Sequence, residues 1–171
     1  MRRRISVFFL FTLLFTSTTA FATWSVIAVN TATGEIVVAS ATCLTQKDLD
    51  SIGAADLREV QAVVVPAAGA AMLQASIDAT GRNKALVYRL LRDGAAPELI
   101  LEQLGAADGA IPTRQIGILD LKGRSIGFTG RRTVGTALSQ GGRVDRNIYY
   151  QIQGNILRSE EVIHKIGRAH V

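Results

Sequence analysis

The position of Thr23 makes it the main candidate for a catalytic residue in this chain. It follows Ala20-Phe21-Ala22, a run with small residues at the positions that signal peptidase requires. Cleavage after Ala22 would leave Thr23 with a free α-amine. A threonine hydroxyl needs a base, and the α-amine of the same residue, with a pKa of about 7.7–8.0, can supply one. The position therefore predicts an N-terminal nucleophile that requires no histidine.

The residues before Thr23 have the composition of a signal peptide. Three arginines at positions 2–4 precede an apolar run over 5–15, and the polar stretch 16–19 leads to the cleavage site. The apolar run is too short to cross a bilayer stably. A buried N-terminal helix or a retained membrane anchor is the alternative. We expect residues 1–22 to be a signal peptide and the protein to be exported, periplasmic or extracellular, with no membrane contact after cleavage.

Removal of the signal peptide changes the charge of the chain. The full sequence has 19 Lys+Arg against 14 Asp+Glu, and loss of the three signal arginines leaves 16 against 14, a net charge of +2. The pair Arg131-Arg132 and the residues Arg143 and Arg146 are local, without the basic stripe that a nucleic-acid binder carries. We therefore expect a small-molecule or peptide-like substrate as the partner and no nucleic acid. The formation of a homo-oligomer stays open.

Cys43 is the only cysteine, so it cannot form an internal disulfide. It follows the apolar run 36–41, which favours a small buried residue; a reactive thiol or an intermolecular bridge are the alternatives. The two histidines, His164 and His170, both lie near the C-terminus, and no CxxC or HExxH spacing occurs. We expect no metal site built by the protein and no cofactor.

The segments that must position Thr23 show two patterns of apolar residues. In some, the residues alternate between two faces as in strands, and in others apolar residues recur at the spacing of an amphipathic helix. Strands are predicted over 24–29, 36–42, 61–66, 69–75, 114–121, 125–129 and 148–153. The first two are expected to pair as a hairpin around the loop 30–35. Helices are predicted over 82–92, from Pro97 onward and after Ser159, with a polar helical or irregular excursion over 45–60. Thr80 is the expected cap of the first helix and Gly94 its stop.

Two glycine-containing segments are predicted to be irregular. The segment 130–146 is predicted to be a loop with few core residues, and Gly154-Asn155 is predicted to form a turn. The order of hairpins and helices is that of an α+β protein with antiparallel sheets, in which two sheets pack together and helices lie outside. We expect one domain over 23–164.

The last seven residues have an unusual origin in this interpretation. Residues 165–171 match the translation of a common sequencing adapter. We expect them to be an artefact that packs against nothing and that should be excluded from fold reasoning. The domain over 23–164 is then incomplete at its C-terminus.

Several short motifs occur in a fixed order along the chain after the signal peptide. They lie at 23–30, 33–41, 69–75 with Gln74, 114–120, 123–124, 128–130 and 150–155. Their order and spacing resemble those of a bacterial family called domain of unknown function 1028. The sequence departs from cytoplasmic-type members at Ala41, where they often carry lysine, and in the excursion over 45–60.

The resemblance implies a fold similar to that of the Ntn (N-terminal nucleophile) hydrolases, a four-layer αββα sandwich. It implies that Thr23 acts as nucleophile and its α-amine as base. From their own positions, in an apolar strand and at a strand end, Gln74 and Asn155 are candidate donors to an oxyanion. Either amide can instead be structural. The leading hypothesis is an exported N-terminal-threonine amidohydrolase acting on an amide or peptide-like substrate. The alternative is a non-catalytic exported binding or assembly protein that keeps the fold.

Overall fold

Alternation of apolar residues along the chain builds strands that pair into two antiparallel sheets. The structure is a computed structural model that describes residues 22–168. The strands are β1 (Thr23–Asn30), β2 (Glu35–Ala41), β3 (Ala62–Val65), β4 (Gly69–Gln74), β5 (Gln115–Asp120), β6 (Ser125–Thr129), β7 (Thr136–Arg143) and β8 (Ile148–Leu157). The helices are α1 (Gln46–Ser51), α2 (Leu57–Gln61), α3 (Arg82–Arg92), α4 (Pro97–Ala107) and α5 (Glu161–Arg168), with a 3₁₀ turn at Ile111–Thr113.

The first sheet has the strand order β2-β1-β8-β7, and the second has the order β3-β4-β5-β6. Strands β1 and β2 form the predicted hairpin, in register from Trp24 opposite Ala41 to Asn30 opposite Glu35. On its other side β1 pairs with β8, where Thr23 lies opposite Asn155. The chain therefore places Thr23 at the start of a central strand, where pairing with Asn155 of β8 positions its backbone.

The layers follow the order helix, sheet, sheet, helix. Helices α3 and α4 cover the outer face of the second sheet through Val87, Leu91, Ile100 and Leu104. Between the sheets, Ile27 and Val29 of β1 pack on Met72 and Leu119 of the second sheet, among other apolar residues. Helix α5 packs through Ile163 on the outer face of the first sheet. The predicted α+β class with two antiparallel sheets is confirmed.

The two faces of β1 show how alternation assigns its residues to layers. Ser25, Ile27 and Val29 face the second sheet and are buried, whereas Trp24, Val26 and Ala28 are only half-buried. The outer face of β1 is therefore less buried than the face that meets the second sheet. Helix α5 has only eight residues and covers part of the outer face.

The prediction of a loop over 130–146 was wrong, because Thr136–Arg143 forms the edge strand β7. Its glycines leave space for large side chains of β8, with which it pairs. A Cβ on Gly142 would lie 2.5 Å from Tyr150 Oη, and a Cβ on Gly141 would lie 2.6 Å from Gln151 Oε1. Glycine here supports the sheet, since it admits side chains from the neighbouring strand.

The turn predicted at Gly154-Asn155 was also wrong, because both residues lie within β8. Gly154 pairs with Trp24, and a Cβ on it would meet Leu157 and Ile163 at 2.9 and 3.0 Å. Its missing side chain therefore lets α5 approach the sheet. The strand continues to Leu157 before the chain turns.

Three smaller expectations were wrong for local reasons. The N-cap of α3 is Gly81 rather than Thr80. Thr80 Oγ1 accepts from Arg82 N at 3.3 Å, and Asp78 Oδ2 accepts the shorter bond from Asn83 N at 2.8 Å. Cys43 is exposed rather than buried, because it lies beyond the last residue of β2. Residues 165–171 were expected to pack against nothing, but residues 165–168 belong to α5, and Ile166 packs on the cluster around Tyr150 and Ile152.

Several predicted boundaries were confirmed. Helix α3 spans Arg82–Arg92 and ends before Gly94, whose φ of 77° is in the left-handed region that glycine accepts. Pro97 occupies the first turn of α4. Within residues 22–168 no helix has the length and apolar character needed to cross a bilayer. Residues 1–21 of the predicted signal peptide, and residues 169–171, lie outside the described residues.

A glycine at the end of β6 provides a test of the packing between strand and loop. A Cβ on Gly130 would lie 2.3 Å from Pro112 O and 2.7 Å from Ile111 O, both backbone atoms. We expect Gly130→Ala to lower the free energy of unfolding by about 1–3 kcal/mol, because the backbone must move. Urea denaturation monitored by circular dichroism measures this.

The matched control is Gly105→Ala in α4, where a Cβ would meet nothing within 4 Å. Alanine has the higher helix propensity, so this variant should gain up to about 1 kcal/mol of stability. Equal effects of the two substitutions would contradict the packing described here.

Candidate active site

Four strand ends bring polar side chains together at one end of the layer between the sheets. Thr23 begins β1, Gln74 ends β4, Gln115 begins β5, and Asn155 lies near the end of β8. Register places Gln74 opposite Gln115, as it places Thr23 opposite Asn155. The three predicted site residues, Thr23, Gln74 and Asn155, are therefore gathered in one place, together with a glutamine that was not predicted.

Thr23 lies at the edge of this group and is half-buried. Its Oγ1 is 2.9 Å from Thr42 Oγ1, and either hydroxyl can donate in that hydrogen bond. The side-chain nitrogen of Gln74 is 3.5 Å from the Thr23 carbonyl oxygen. The hydroxyl is thus held in place at the end of a strand, close to an amide group that faces the same residue.

Gln115 is completely buried and is the centre of the group. Its Nε2 donates to the backbone carbonyl of Gly154 at 2.8 Å and also lies 3.3 Å from that of Leu138 and 3.0 Å from Thr129 Oγ1. Its Oε1 accepts from Gln74 Nε2 at 2.8 Å and from Asn155 Nδ2 at 3.1 Å. One side chain therefore connects both sheets and two of the three predicted site residues.

Sequence reasoning missed Gln115 as a site residue, although one feature pointed to it. A glutamine begins the strand Gln115–Asp120, which is buried at every position. A buried amide must be hydrogen-bonded, so its presence in such a strand indicates partners on other elements. Which partners these are depends on pairing that the sequence does not state.

Three buried polar atoms at the same end of the layer have no hydrogen-bond partner among the described residues. They are Ser25 Oγ, Gln74 Oε1 and Gln153 Oε1. Ser25 lies opposite Gln153 across β1 and β8, and Gln153 Nε2 donates to Met72 O of the second sheet at 2.9 Å. Such atoms carry a desolvation cost of about 1–3 kcal/mol each. Polar atoms of this kind cluster at functional sites more often than in ordinary cores.

The backbone beside two of the amides has an uncommon conformation. Ala75 follows Gln74 with φ of 76°, and Ile156 follows Asn155 with φ of 51°. A β-branched residue such as isoleucine rarely adopts positive φ. Residues held in this way occur at active sites and tight turns, where the surrounding structure imposes them.

A buried ion pair fixes the chain on both sides of the site. Arg114 precedes Gln115, and its Nε donates to Asp108 Oδ2 at 2.9 Å while its Nη1 donates to Ser76 O at 2.6 Å. Asn83 also donates to Asp108, at 2.6 Å. Burial alone would raise the pKa of Asp108, but the hydrogen bonds from Arg114 and Asn83 outweigh it and lower that pKa.

Two cavities lie beside segments that connect to the site. One of about 260 Å³ is bordered by Ser40, whose Oγ donates to the Trp24 carbonyl at 3.1 Å. Another of about 340 Å³ is bordered by Ile77 and Lys84, and burial lowers the pKa of that lysine. Ile77 follows Gln74 by three residues, so their Cα atoms are at most about 11 Å apart. Among residues 22–168, no cluster of three or more His, Cys, Asp or Glu is arranged for a metal ion.

The chain belongs to the family of unknown function DUF1028, whose model matches residues 23–171. The crystal structure of protein SPO2555 from Silicibacter pomeroyi, of the same family, is similar with a TM-score of 0.70 and 23% sequence identity. The match covers 86% of this chain and 58% of that protein. No curated protein matches the sequence. The comparisons confirm the family resemblance seen in the motifs and show a shared fold.

The ion pair beside the site leads to a prediction about stability. Asp108→Ala leaves the buried Arg114 guanidinium without its carboxylate, and we expect a loss of about 3 kcal/mol in the free energy of unfolding. The folded-state pKa of Asp108 lies below its ordinary value of 3.8. The pair therefore stabilises fully above that pH, and its contribution is lost as pH falls through the folded-state pKa.

Urea denaturation at pH 7 and at pH 3 measures the loss of stability and its pH dependence. The difference in the free energy of unfolding between wild type and Asp108→Ala should be smaller at pH 3. Asp93→Ala is the control, since the Arg92–Asp93 pair is exposed on both sides. That variant should be close to wild type at both pH values. A pH-independent loss in Asp108→Ala would contradict the role given to the carboxylate.

Proposed function

We propose that this protein is an exported hydrolase of the N-terminal nucleophile type, with Thr23 as the nucleophile. The observation that carries the proposal is the meeting of Thr23 with the Gln74, Gln115 and Asn155 amides at one end of the inter-sheet layer. The layer order helix, sheet, sheet, helix supports an Ntn-hydrolase-like fold. The family match begins at Thr23, which supports maturation at that residue.

In the proposed reaction the Thr23 hydroxyl attacks the carbonyl carbon of an amide, and the α-amine of Thr23 accepts the hydroxyl proton. The leaving amine takes that proton, and an ester between the acyl group and Thr23 Oγ1 forms. Water then hydrolyses the ester, which releases the acyl group as a carboxylic acid and restores the Thr23 hydroxyl. Asn155 suits stabilisation of the oxyanion, because only one of its two side-chain N–H groups is used by the described residues.

The substrate class proposed is an amide or peptide-like compound, because the nucleophile and amide donors suit acyl transfer. None of the four side chains that meet at the site is charged, so these side chains would recognise a substrate through hydrogen bonds. The alternative, an exported binding or assembly protein that keeps the fold, requires no free α-amine at Thr23. The two functions therefore differ in their dependence on the chain start.

N-terminal sequencing of the protein secreted from its precursor tests maturation. We expect Thr23 as the first residue, because Ala20 and Ala22 satisfy signal peptidase. Any other first residue would remove the base on which the mechanism depends.

Acylation by p-nitrophenyl acetate tests the nucleophile. We expect protein that begins at Thr23 to gain the mass of one acetyl group on Thr23, observed by peptide mass spectrometry. Thr23→Ala should lose this acylation, while Thr23→Ser should retain part of it because the hydroxyl remains. The stability of Thr23→Ala should fall by only about 1 kcal/mol, since one partly buried hydrogen bond to Thr42 is lost.

The matched control is protein that begins at Ala22 and so differs by one residue. It keeps the Thr23 hydroxyl but has no α-amine on that residue, and we expect it to be acylated as slowly as Thr23→Ala. Ser25→Ala and Cys43→Ala should react like wild type. Acylation at the wild-type rate in Thr23→Ala, or in the protein that begins at Ala22, would favour the binding-protein function.

A further inference from the structure

Backbone carbonyls determine which way the Gln115 amide faces. The carbonyl oxygens of Leu138 and Gly154 can only accept hydrogen bonds, and both lie on the Nε2 side of Gln115. The amide nitrogen must therefore point at them. Oε1 of Gln115 is left on the opposite side, where it faces Gln74 and Asn155.

The orientation of Gln115 in turn determines those of Gln74 and Asn155. An oxygen acceptor requires a donor, so each of these two side chains must present its NH₂ group to Gln115 Oε1. The second N–H of Gln74 lies towards Thr23 O, and its Oε1 has no partner among the described residues. Gln74 thus offers an acceptor, and Asn155 offers a donor.

We propose that Gln115 is the positioning residue of the Thr23 site, because its Oε1 holds the amides of Gln74 and Asn155 in a single orientation. This inference rests on the proposed function. It assigns to Asn155 the oxyanion donor and to Gln74 Oε1 the acceptor for an N–H of the Thr23 α-amine. Gln74 therefore has a different role from the oxyanion donor expected from sequence.

Burial makes this arrangement rigid. Gln115 is 0% exposed, and Gln74 and Asn155 are each 3% exposed. In such an environment a reversed amide would place oxygen against oxygen and leave two N–H groups without acceptors, at a cost of about 1–3 kcal/mol for each unsatisfied group. Water cannot readily replace the lost bonds. The amide orientations are consequently set by the fold before a substrate binds.

Three variants separate positioning from general destabilisation. Gln115→Met keeps the length of the side chain but removes both acceptor and donor. Gln115→Glu, which burial keeps protonated, retains a carbonyl acceptor for Gln74 and Asn155. Gln151→Met is the matched control, since Gln151 is a buried amide of the same layer, 2% exposed, whose side-chain nitrogen donates to Ile152 O.

Two readouts are made on protein that begins at Thr23. The first is the hydrogen exchange of the side-chain amides of Gln74 and Asn155, observed by ¹⁵N–¹H NMR. The second is the rate of acetylation of Thr23 by p-nitrophenyl acetate. We expect Gln115→Met to lose protection at both amides and to be acylated about 100-fold more slowly, because displaced groups lose that order of rate.

Gln115→Glu should restore the protection and most of the rate, and Gln151→Met should leave both unchanged even if it is less stable. Normal protection and acylation in Gln115→Met would overturn the inference. If Gln115→Met does not fold, loss of amide protection in the folded Gln115→Glu variant would overturn it as well. Wild-type protein that is not acylated would defeat the proposed function, while the exchange measurement would still decide the role of Gln115.

Discussion

The arrangement at the site depends on one constraint, which is that the backbone carbonyls of Leu138 and Gly154 can only accept hydrogen bonds. Because Gln115 Nε2 faces them, the direction of every other amide in the group follows. The constraint reaches across both sheets, since Gln115 belongs to β5 while Leu138 and Gly154 belong to β7 and β8. A hydrogen bond between two exposed side chains would not have this effect, because water could satisfy either orientation. Because the group is buried, the orientation of the Gln115 amide determines the orientations of the amides that contact it.

The layer between the sheets is divided into an apolar part and a polar part, and the division explains how the fold tolerates so many buried amides. Ile27, Val29, Met72 and Leu119 form an ordinary core in the apolar part. The polar part is crowded with glutamine and asparagine side chains, and glycines opposite them provide the space. A Cβ on Gly117 would lie 3.0 Å from Gln153 Oε1, and one on Gly127 would lie 2.5 Å from Gln151 Nε2. The apolar part thus supplies the free energy that holds the sheets together, whereas the polar part costs stability at its unpaired atoms.

The sequence was sufficient where a pattern depends on neighbours along the chain. Alternation over 24–29 and 36–42 predicted the first hairpin, and helix-like spacing with Gly94 predicted α3. It was insufficient where a residue depends on a distant partner. Segment 136–143 has few apolar residues, and it becomes a strand because Gly141 and Gly142 accommodate Gln151 and Tyr150 of β8. Gly154 was interpreted as part of a turn because the sequence does not show that its missing side chain leaves space for Leu157 and Ile163. The role of Gln115 could not be predicted, because its hydrogen-bond partners lie on four other strands, β4, β6, β7 and β8. Gln74 and Asn155, however, were predicted, because polar residues at apolar strand ends are conspicuous.

Placing the nucleophile at the first residue of a central strand joins maturation to reactivity in the proposed mechanism. While Ala22 is attached, the nitrogen of Thr23 belongs to a peptide bond and cannot accept a proton. Ala22 also packs against the cluster on the outer face of the first sheet, so the precursor can fold with Thr23 already opposite Asn155. In that mechanism, cleavage would add a base to a site whose amides Gln115 already orients, and the strands would not need to rearrange. Because the proposed base would appear only on removal of the predicted signal peptide, an enzyme built in this way would gain activity only in the compartment to which it is exported.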